Sequence, residues 1–217
     1  MSENCTLFYR RRLPHLFMDN HPVFLTWRLK FTLPSHIVLH LKEMKEIHDK
    51  QTAPLSEEYG RLQSYAFHKR VFGYLDKQLD TCRELPDILK QSQFSQIVKE
   101  SLLYQNGKRY SMHAFCIMPN HVHALITPYS NKNDYKKTLS TITQTWKRHT
   151  ARQINLLLNR SGSVWSAETY DHLVRSESEF ARIVSYILNN PVKANLVNAW
   201  EKWTNNWVAD EFKEIMG

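Results

Sequence analysis

The stretch that decides the fold reads Arg109-Tyr-Ser-Met-His-Ala-Phe-Cys-Ile-Met118, then Pro119-Asn120, then His121-Val-His-Ala-Leu-Ile-Thr127. In its first part, apolar and more polar residues alternate along the chain. This period of two is typical of a β-strand with one buried face. Its last part is a second apolar run of strand length. Because the connection is so short, the two strands are predicted to pair as a β-hairpin.

Upstream of this β-hairpin, a strand and a helix are predicted. The residues from Val23 to Lys30 show the same alternation. Pro34-Ser35 then opens a helical pattern. We interpret residues 51–104, which hold further helical patterns between loop signals, as a helical insertion. The apolar stripe of the first helix consists of Ile37, Leu41, Met44 and Ile47.

Downstream, the clearest helical pattern runs from Asp134 to Leu158. Val164 to Val174 is rich in β-branched and aromatic residues and is predicted as the last strand. Ser176-Glu-Ser-Glu179 has the spacing of a capping box and starts a further helix. Pro191 is expected to end that helix or nearly so, because proline disfavours helix at the residue before it.

Apart from the insertion and the last helix, these elements follow the β-α-β-β-α-β order of a ferredoxin-like antiparallel sheet, an α+β fold. The 217 residues are enough to bury a sizeable core. We therefore predict a single domain over residues 1–217, with the helical insertion at about 51–104 and a C-terminal helix added to the sheet.

The composition limits the classes of partner and compartment. The formal net charge of +8 favours a polyanionic partner, in practice nucleic acid, with a basic solvated surface as the alternative. Three cysteines without Cys-x-x-Cys spacing indicate neither a disulfide framework nor a cysteine-rich zinc site. No export signal or membrane-spanning run is visible. We expect a cytoplasmic protein without a membrane partner.

The pair His121 and His123 can hold one metal ion, because residues two apart on a strand point to the same face. With eleven histidines in the chain, a His-x-His arises readily by chance, so buried or surface histidines are the alternative. His113 and Cys116 on the partner strand are the candidates to complete a zinc site. Their opposite strand parity argues against both facing the pair.

A tyrosine on the last helix is a candidate nucleophile. Arg182, Tyr186 and Asn190 recur at intervals of four and form one stripe. Tyr186 lies roughly a third of a turn from the apolar stripe of that helix. It is either a packing residue with a bound hydroxyl or a group that forms a covalent intermediate. As a nucleophile it needs a nearby cation or metal-bound group, since its unperturbed pKa is about 10.

The segment 135–167 contains six lysines and arginines and no Asp or Glu. On a helix, Lys137, Arg148 and Arg152 lie almost opposite the apolar stripe and Lys147 flanks it, which favours contact with phosphates over a merely solvated surface. Arg10-Arg11-Arg12 is a second candidate basic arm. With Arg182 added from the last helix, the predicted DNA-binding residues are Lys137, Lys147, Arg148, Arg152 and Arg182.

Four ordered segments of the chain resemble a known family. Ala114–Pro128 resembles the His-hydrophobic-His segment of the single-tyrosine HUH transposases, and Tyr186–Leu196 resembles their tyrosine-helix segment. Between them, Thr145–Asn155 and Val164–Arg175 resemble the REP-associated tyrosine transposase branch. Four segments in order are far more specific than a lone His-x-His.

The resemblance implies that His121 and His123 bind Mg²⁺ or Mn²⁺, with Asn190 as third ligand. The metal polarises the scissile phosphate of single-stranded DNA. Tyr186 attacks that phosphate, leaving a 5′-phosphotyrosine and a free 3′-hydroxyl, and the reversal of this step joins strands. Members of this branch recognise a short imperfect DNA hairpin near the cleavage site. Both monomers and homodimers are known among relatives, so either is expected.

Several alternatives stay open at this point. Tyr170 is a competing nucleophile, and Arg182 either approaches the phosphate or covers the helix. A domesticated protein that binds hairpin DNA without productive cleavage, or a zinc-dependent hydrolase, is the alternative function. Asn195 stands where relatives often have glycine; because asparagine tolerates the left-handed conformation, the turn after the helix is expected to survive.

Overall fold

The computed structural model describes residues 21–30, 33–53, 57–81, 85–129 and 135–213. The side chains of residues 57, 58, 60–62, 65 and 135–137 are also outside the description. The predicted basic arm Arg10-Arg11-Arg12 and the side chain of Lys137 therefore lie outside the described residues. The chain divides into two compact units, with the division at residues 30/31 and 85/86.

The first unit contains two long helices, α1 (Ser35–Thr52) and α2 (Glu57–Thr81). Their apolar faces share a buried core, and the ring of His48 stacks on Phe67 with 4.1 Å between ring centroids. The core pattern predicted for the first helix is confirmed at two of its positions and extends onto α2. This core consists of Ile37, Leu41, Phe67 and Val71.

The second unit is built on a five-stranded antiparallel sheet in the order β4-β1-β3-β2-β5. The predicted α+β class with an antiparallel sheet is confirmed, and the first four strands come in the predicted chain order. The last, short strand was not predicted. The strands are β1 (Val23–Arg28), β2 (Tyr110–Ile117), β3 (His121–Pro128), β4 (Tyr170–Leu173) and β5 (Asn206–Val208).

Four helices and two short 3₁₀ turns complete this unit. The segment predicted as an insertion, about 51–104, divides between the two units, because α2 belongs to the first and α3 to the second. The single-domain description stays a prediction. The helices are α3 (Ser92–Leu103), α4 (Tyr135–Leu157), α5 (Glu177–Lys193) and α6 (Asp210–Lys213), and the 3₁₀ turns are Ile88–Lys90 and Trp200–Lys202.

The two longest helices of this unit cover opposite faces of the sheet. Trp27 of β1 stacks on Trp146 of α4 at 5.6 Å between ring centroids. Phe24 of the same strand meets the ring of Tyr186 of α5 at 5.9 Å. Residues three apart on a strand point to opposite faces, so α4 and α5 lie on opposite sides of β1. The sheet therefore separates the basic helix α4 from the tyrosine helix α5.

A β-bulge in β2 overturns the parity argument for His113 and Cys116. The β2–β3 register shifts between Met112 and Ala114, so one extra residue is placed on β2. Cys116 is then directly opposite His123, and His113 lies against Phe180 of α5. Both side chains consequently face the α5 side, which a count of alternating residues without the bulge does not predict.

The helix α5 ends at Lys193, two residues past Pro191, which agrees with the expectation that this proline ends the helix or nearly so. Proline removes only its own N–H from the helical ladder, and the turn beyond it keeps the bond from Ala194 N to Asn190 O. The helix then closes with bonds from Leu196 N to Pro191 O and from Asn195 N to Val192 O, the pattern of a Schellman motif. Asn195 adopts φ 56°, which confirms the left-handed turn predicted there.

The start of α5 and the last predicted strand also differ in detail from the sequence pattern. The N-cap bond from Glu179 N to Ser176 Oγ is present at 3.2 Å. The carboxylate of Glu179 accepts from Arg175 N, one residue before the cap, and contacts the ring of His172.

The strand predicted over Val164–Val174 is reduced to β4, and its first half is a loop.

Candidate metal and nucleophile site

Two buried histidines of β3 form the centre of the site. His121 and His123 are both 0% exposed, and their Nε2 atoms lie 3.0 Å apart. They alternate with Val122 along the strand, which places both rings on the face covered by α5. The spacing predicted from the sequence therefore brings the two imidazoles together, as expected.

Hydrogen bonds to the other ring nitrogens fix the orientation of both rings. His121 Nδ1 lies 2.6 Å from Asn120 Oδ1, and because a carbonyl oxygen only accepts, this Nδ1 carries the proton. His123 Nδ1 lies 2.7 Å from Thr26 Oγ1, while its Nε2 accepts from Asn190 Nδ2 at 3.0 Å. Neither Nε2 atom then carries a proton, and their 3.0 Å separation is an arrangement that a shared cation stabilises.

The side-chain amide of Asn190 contains the clearest sign of a missing ligand. Asn190 is 0% exposed, and within the described residues its Oδ1 is buried without a hydrogen-bond partner. Leaving a buried acceptor unpaired costs about 1–3 kcal/mol, so such atoms are rare without a function. A half-turn of the amide exchanges Oδ1 and Nδ2 and brings the oxygen to His123 Nε2. Two imidazole nitrogens and an amide oxygen fit a divalent cation with open positions.

Burial keeps one of these ligands neutral. Desolvation, with a smaller contribution from the positive charge of Lys193, lowers the pKa of His123 to about 3. The imidazole is therefore unprotonated at neutral pH, the form in which histidine binds a metal.

Tyr186 lies one helical turn before Asn190 on α5. Its ring is half-buried and approaches the ring of His123 edge-on, with 5.5 Å between centroids. Phe24 of β1 packs against both rings and fixes their angle, since it stacks on His123 and meets Tyr186 at its edge. The ammonium of Lys193 lies 5.3 Å from the centroid of the Tyr186 ring.

Tyr170, the competing candidate, is placed one strand away. It lies on β4 and contacts Phe24 at 6.3 Å between ring centroids. The ring of Tyr186 is in contact with His123 itself. Of the two tyrosines, Tyr186 has the closer described contact with the histidine pair.

No protein-family model matches the chain. Over 95 residues the chain is 26% identical to a Haemophilus influenzae protein named "Putative REP-associated tyrosine transposase". The aligned part is 42% of this chain and 54% of that protein, so the chain spans about half the length of this curated relative. The chain is therefore similar over this segment to a protein of that name. A solved structure of a REP-associated tyrosine transposase bound to a REP hairpin covers 95% of this chain and 82% of its own, with a TM-score of 0.49 and 15% identity.

Three predicted DNA-binding residues with described side chains, Lys147, Arg148 and Arg152, lie on α4. Arg148 and Arg152 are exposed on α4, across the sheet from the histidine pair. The ammonium of Lys147 donates to the carbonyl oxygens of Ser166, Ala167 and Glu168 at 3.0, 3.3 and 2.8 Å. Lys147 is thus engaged by the chain itself, whereas Arg148 and Arg152 face outward.

Arg182 and His113 are also placed by their local contacts. Arg182 is exposed on α5, and its Nε donates to Ser178 O at 3.3 Å, so it lies along its own helix. His113 lies 2.7 Å from Thr127 Oγ1 and packs between Phe180 and Phe212. The zinc-hydrolase alternative that uses His113 gains no support from these contacts.

Four residues of the site were not predicted from the sequence. Thr26 and Phe24 reach it only through the pairing of β1 with β3, in which Thr26 is opposite His123. Asn120 is a turn residue that neighbours His121, and no pattern marks its side chain. Lys193 follows Tyr186 by seven residues. This spacing places both residues on one face of a helix, but only if the helix continues past Pro191.

None of the helices in the described ranges has the length and apolar character needed to span a bilayer.

Proposed function

We propose that this chain cleaves and rejoins single-stranded DNA at hairpin-flanked sites, with Tyr186 as nucleophile and Mg²⁺ or Mn²⁺ held by His121, His123 and Asn190. One observation carries the proposal: a buried, unpaired amide oxygen lies beside two facing imidazole nitrogens, one helical turn from a phenol that contacts one of those rings. This arrangement is suited to binding a metal ion and a DNA phosphate at the same place.

The bound metal supplies a Lewis acid that polarises the scissile phosphate. The protein's own residues prepare that role before DNA arrives. Asn120 and Thr26 fix the two rings so that each Nε2 faces inward. Fixing the ring orientation of a ligating histidine through its second nitrogen is worth about 10–100-fold in metal affinity or activity.

Tyr186 is the group proposed to react. Its phenol oxygen forms a bond to phosphorus, the bond from phosphorus to the 3′-oxygen breaks, and the phenol proton passes in net terms to that 3′-oxygen. The products are a 5′-phosphotyrosine and a free 3′-hydroxyl. Because the covalent link retains the phosphodiester energy, attack by a 3′-hydroxyl reverses the step and joins strands without another reagent.

The helix α5 is anchored so that the phenol has a defined position. Val184 and Ile187 bury its apolar side, and Asn206 Nδ2 donates to Leu188 O at 2.9 Å. A reacting group held on a packed helix keeps its geometry better than one on a loop. Since misplacement by about 1 Å can cost about 100-fold in rate, this anchoring supports the catalytic assignment of Tyr186.

The DNA partner is proposed from charge and from the relatives. The curated relative is named "Putative REP-associated tyrosine transposase". The net charge of +8 favours a polyanion. Arg148 and Arg152 on α4 are across the sheet from Tyr186, so we assign them to DNA that flanks the cleavage point. A homodimer is a further expectation of the same family.

A covalent-adduct assay tests the function. The protein is incubated with Mn²⁺ and labelled single-stranded oligonucleotides that carry the imperfect hairpins found beside its gene. A denaturation-resistant adduct is expected, with loss of the adduct in Tyr186→Phe and retention in the matched control Tyr170→Phe. An adduct that persists in Tyr186→Phe contradicts the assignment. Tight hairpin binding without any adduct indicates the binding-only alternative instead.

A further inference from the structure

Of the predicted cations of α4, the described ones, Lys147, Arg148 and Arg152, do not lie at Tyr186. Arg148 and Arg152 lie on the side of the sheet that carries the Trp27–Trp146 stack, and packed helices lie about 10 Å from a sheet. Lys147 is turned to three backbone carbonyls. If Tyr186 attacks a phosphate, cations of the α5 side are closer to it.

Lys193 is a cation that lies at the nucleophile. Its Nζ is 5.3 Å from the centroid of the Tyr186 ring, and its charge also acts on the adjacent His123. Its side chain is exposed, so a DNA strand that reaches Tyr186 also reaches this ammonium.

The position of Lys193 follows from the course of α5. Tyr186, Asn190 and Lys193 stand at i, i+4 and i+7, which places them within roughly 60° of one another around the helix axis. This common stripe exists only because the helix passes through Pro191 and ends after Lys193. The bonds that close the helix at Asn195 and Leu196 hold that last turn in place.

We propose that Lys193 binds a non-bridging oxygen of the scissile DNA phosphate beside Tyr186. The inference rests on the proposed function and adds to it a phosphate-binding residue. In the step, the bond from the phenol oxygen to phosphorus forms, the bond to the 3′-oxygen breaks, and the phenol proton ends on that 3′-oxygen. Lys193 keeps its proton throughout and neutralises charge on the phosphate, for which a compact ammonium is suited.

Lys193 also has a structural role in α5, which the experiment must distinguish from phosphate binding. Lys193 is in the last turn of α5, where a cation interacts favourably with the helix dipole. Such a role changes the free energy of unfolding of every variant that lacks the charge. It does not make the lysine inaccessible when DNA binds, and it does not change the rate of a step at saturating DNA.

Two measurements on the full chain test the proposal. In the first, lysines are acetylated with and without a single-stranded oligothymidine and Mn²⁺, and the modified sites are read by mass spectrometry. In the second, adduct formation is followed in single turnover at saturating hairpin oligonucleotide for Lys193→Met, Lys193→Arg and the matched control Lys202→Met. Lys202 is an exposed lysine in the 3₁₀ turn Trp200–Lys202, and unfolding midpoints are recorded for all variants.

We expect the oligonucleotide to protect Lys193 and not Lys202. We expect Lys193→Met to slow the adduct step by about 100-fold, the size of effect seen when one donor to a transition-state oxyanion is removed. Lys193→Arg should recover most of that rate, and Lys202→Met should keep all of it.

Lack of protection at Lys193, or a Lys193→Met variant that reacts at the wild-type rate, overturns the inference. Protection of Lys193 in a wild-type protein that forms no adduct overturns the proposed cleavage while it retains the phosphate contact. The two proposals therefore fail by different observations.

Discussion

Asn190 of α5 donates its side-chain N–H to His123 Nε2 of β3 across 3.0 Å, although the two residues are 67 positions apart in the chain. This bond connects the tyrosine helix to the histidine strand and leaves the other atom of the same amide unpaired. It is the contact through which the position of Tyr186 depends on the histidine pair.

Replacement of Asn190 by Leu, which has a similar shape, should separate the metal role from the packing role. The variant loses the unpaired oxygen, so we expect a free energy of unfolding within about 1 kcal/mol of wild type without metal. Wild type should gain thermal stability with Mn²⁺ in proportion to the logarithm of its concentration, and Asn190→Leu should gain little. The exposed neighbour Asn189, as Asn189→Leu, is the matched control. An equal Mn²⁺ shift in Asn190→Leu and wild type contradicts the ligand assignment.

Thr26→Val tests the hydrogen bond that orients His123. Both Thr26→Val and Thr127→Val remove a threonine hydroxyl 2.7 Å from a histidine nitrogen, but Thr127 contacts His113, away from the pair. We expect each variant to lose about 1 kcal/mol of stability. Only Thr26→Val should also lower Mn²⁺ affinity and adduct rate, by about 10–100-fold. Equal losses of affinity in the two variants would remove Thr26 from the site.

The sequence predicts the parts of this site that have local periodicity. His121 and His123 alternate on a strand, and Tyr186 and Asn190 share a helical stripe, so each pair follows from spacing alone. The contact between the pairs does not, because it depends on the packing of α5 against the sheet. The bulge that turns His113 toward α5 likewise has no mark in the sequence, since no glycine or proline stands there.

The course of α5 shows why a local rule was insufficient. Proline disfavours helix at the preceding residue by an amount of a few kcal/mol at most, and tertiary burial can exceed it. Asn190 and Pro191 are both buried, so the packing of this turn against the sheet outweighs the local preference. The fold class, in contrast, follows from the order of strong strand and helix patterns, each of which agrees with the buried core.

The stability of the sheet unit should fall in mild acid because of His113. Burial lowers the pKa of His113 from its ordinary value of 6.5 to about 4, so the unfolded chain binds a proton more readily than the folded chain between these values. Stability from this group is therefore fully present above about pH 6.5 and is lost as the pH falls to about 4. The shift corresponds to about 3 kcal/mol.

Urea unfolding in the presence of a chelator, as a function of pH, measures this effect. His113→Leu should flatten the fall in unfolding free energy between about pH 6.5 and 4, while the contribution of His123, which has the same sign, remains. If His113→Leu and wild type fall in parallel over this range, the buried His113 ring is not a source of acid sensitivity.

Lys147 and Arg148 are neighbours in the sequence but should give opposite phenotypes. Lys147 donates to three carbonyl oxygens of the loop at Ser166–Glu168. The carboxylate of Glu168 in turn pairs with Arg28 at 3.7 Å. Arg28 is the β1 residue opposite His121 of β3. Lys147→Met should therefore lose about 1.5–3 kcal/mol of stability, the value for hydrogen bonds to a charged group, because it leaves those carbonyls without their cation. Chemical denaturation gives this number directly.

Arg148→Met, by contrast, should leave the unfolding free energy within about 0.5 kcal/mol, because its side chain is exposed. If it contacts one phosphate of a DNA hairpin stem, the slope of log binding constant against log salt should fall by about 0.9. Lys147→Met should keep the wild-type slope once measured where it is folded, since its ammonium is engaged by the chain. A reduced slope for Lys147→Met with an unchanged slope for Arg148→Met would reverse the roles assigned here to the two cations.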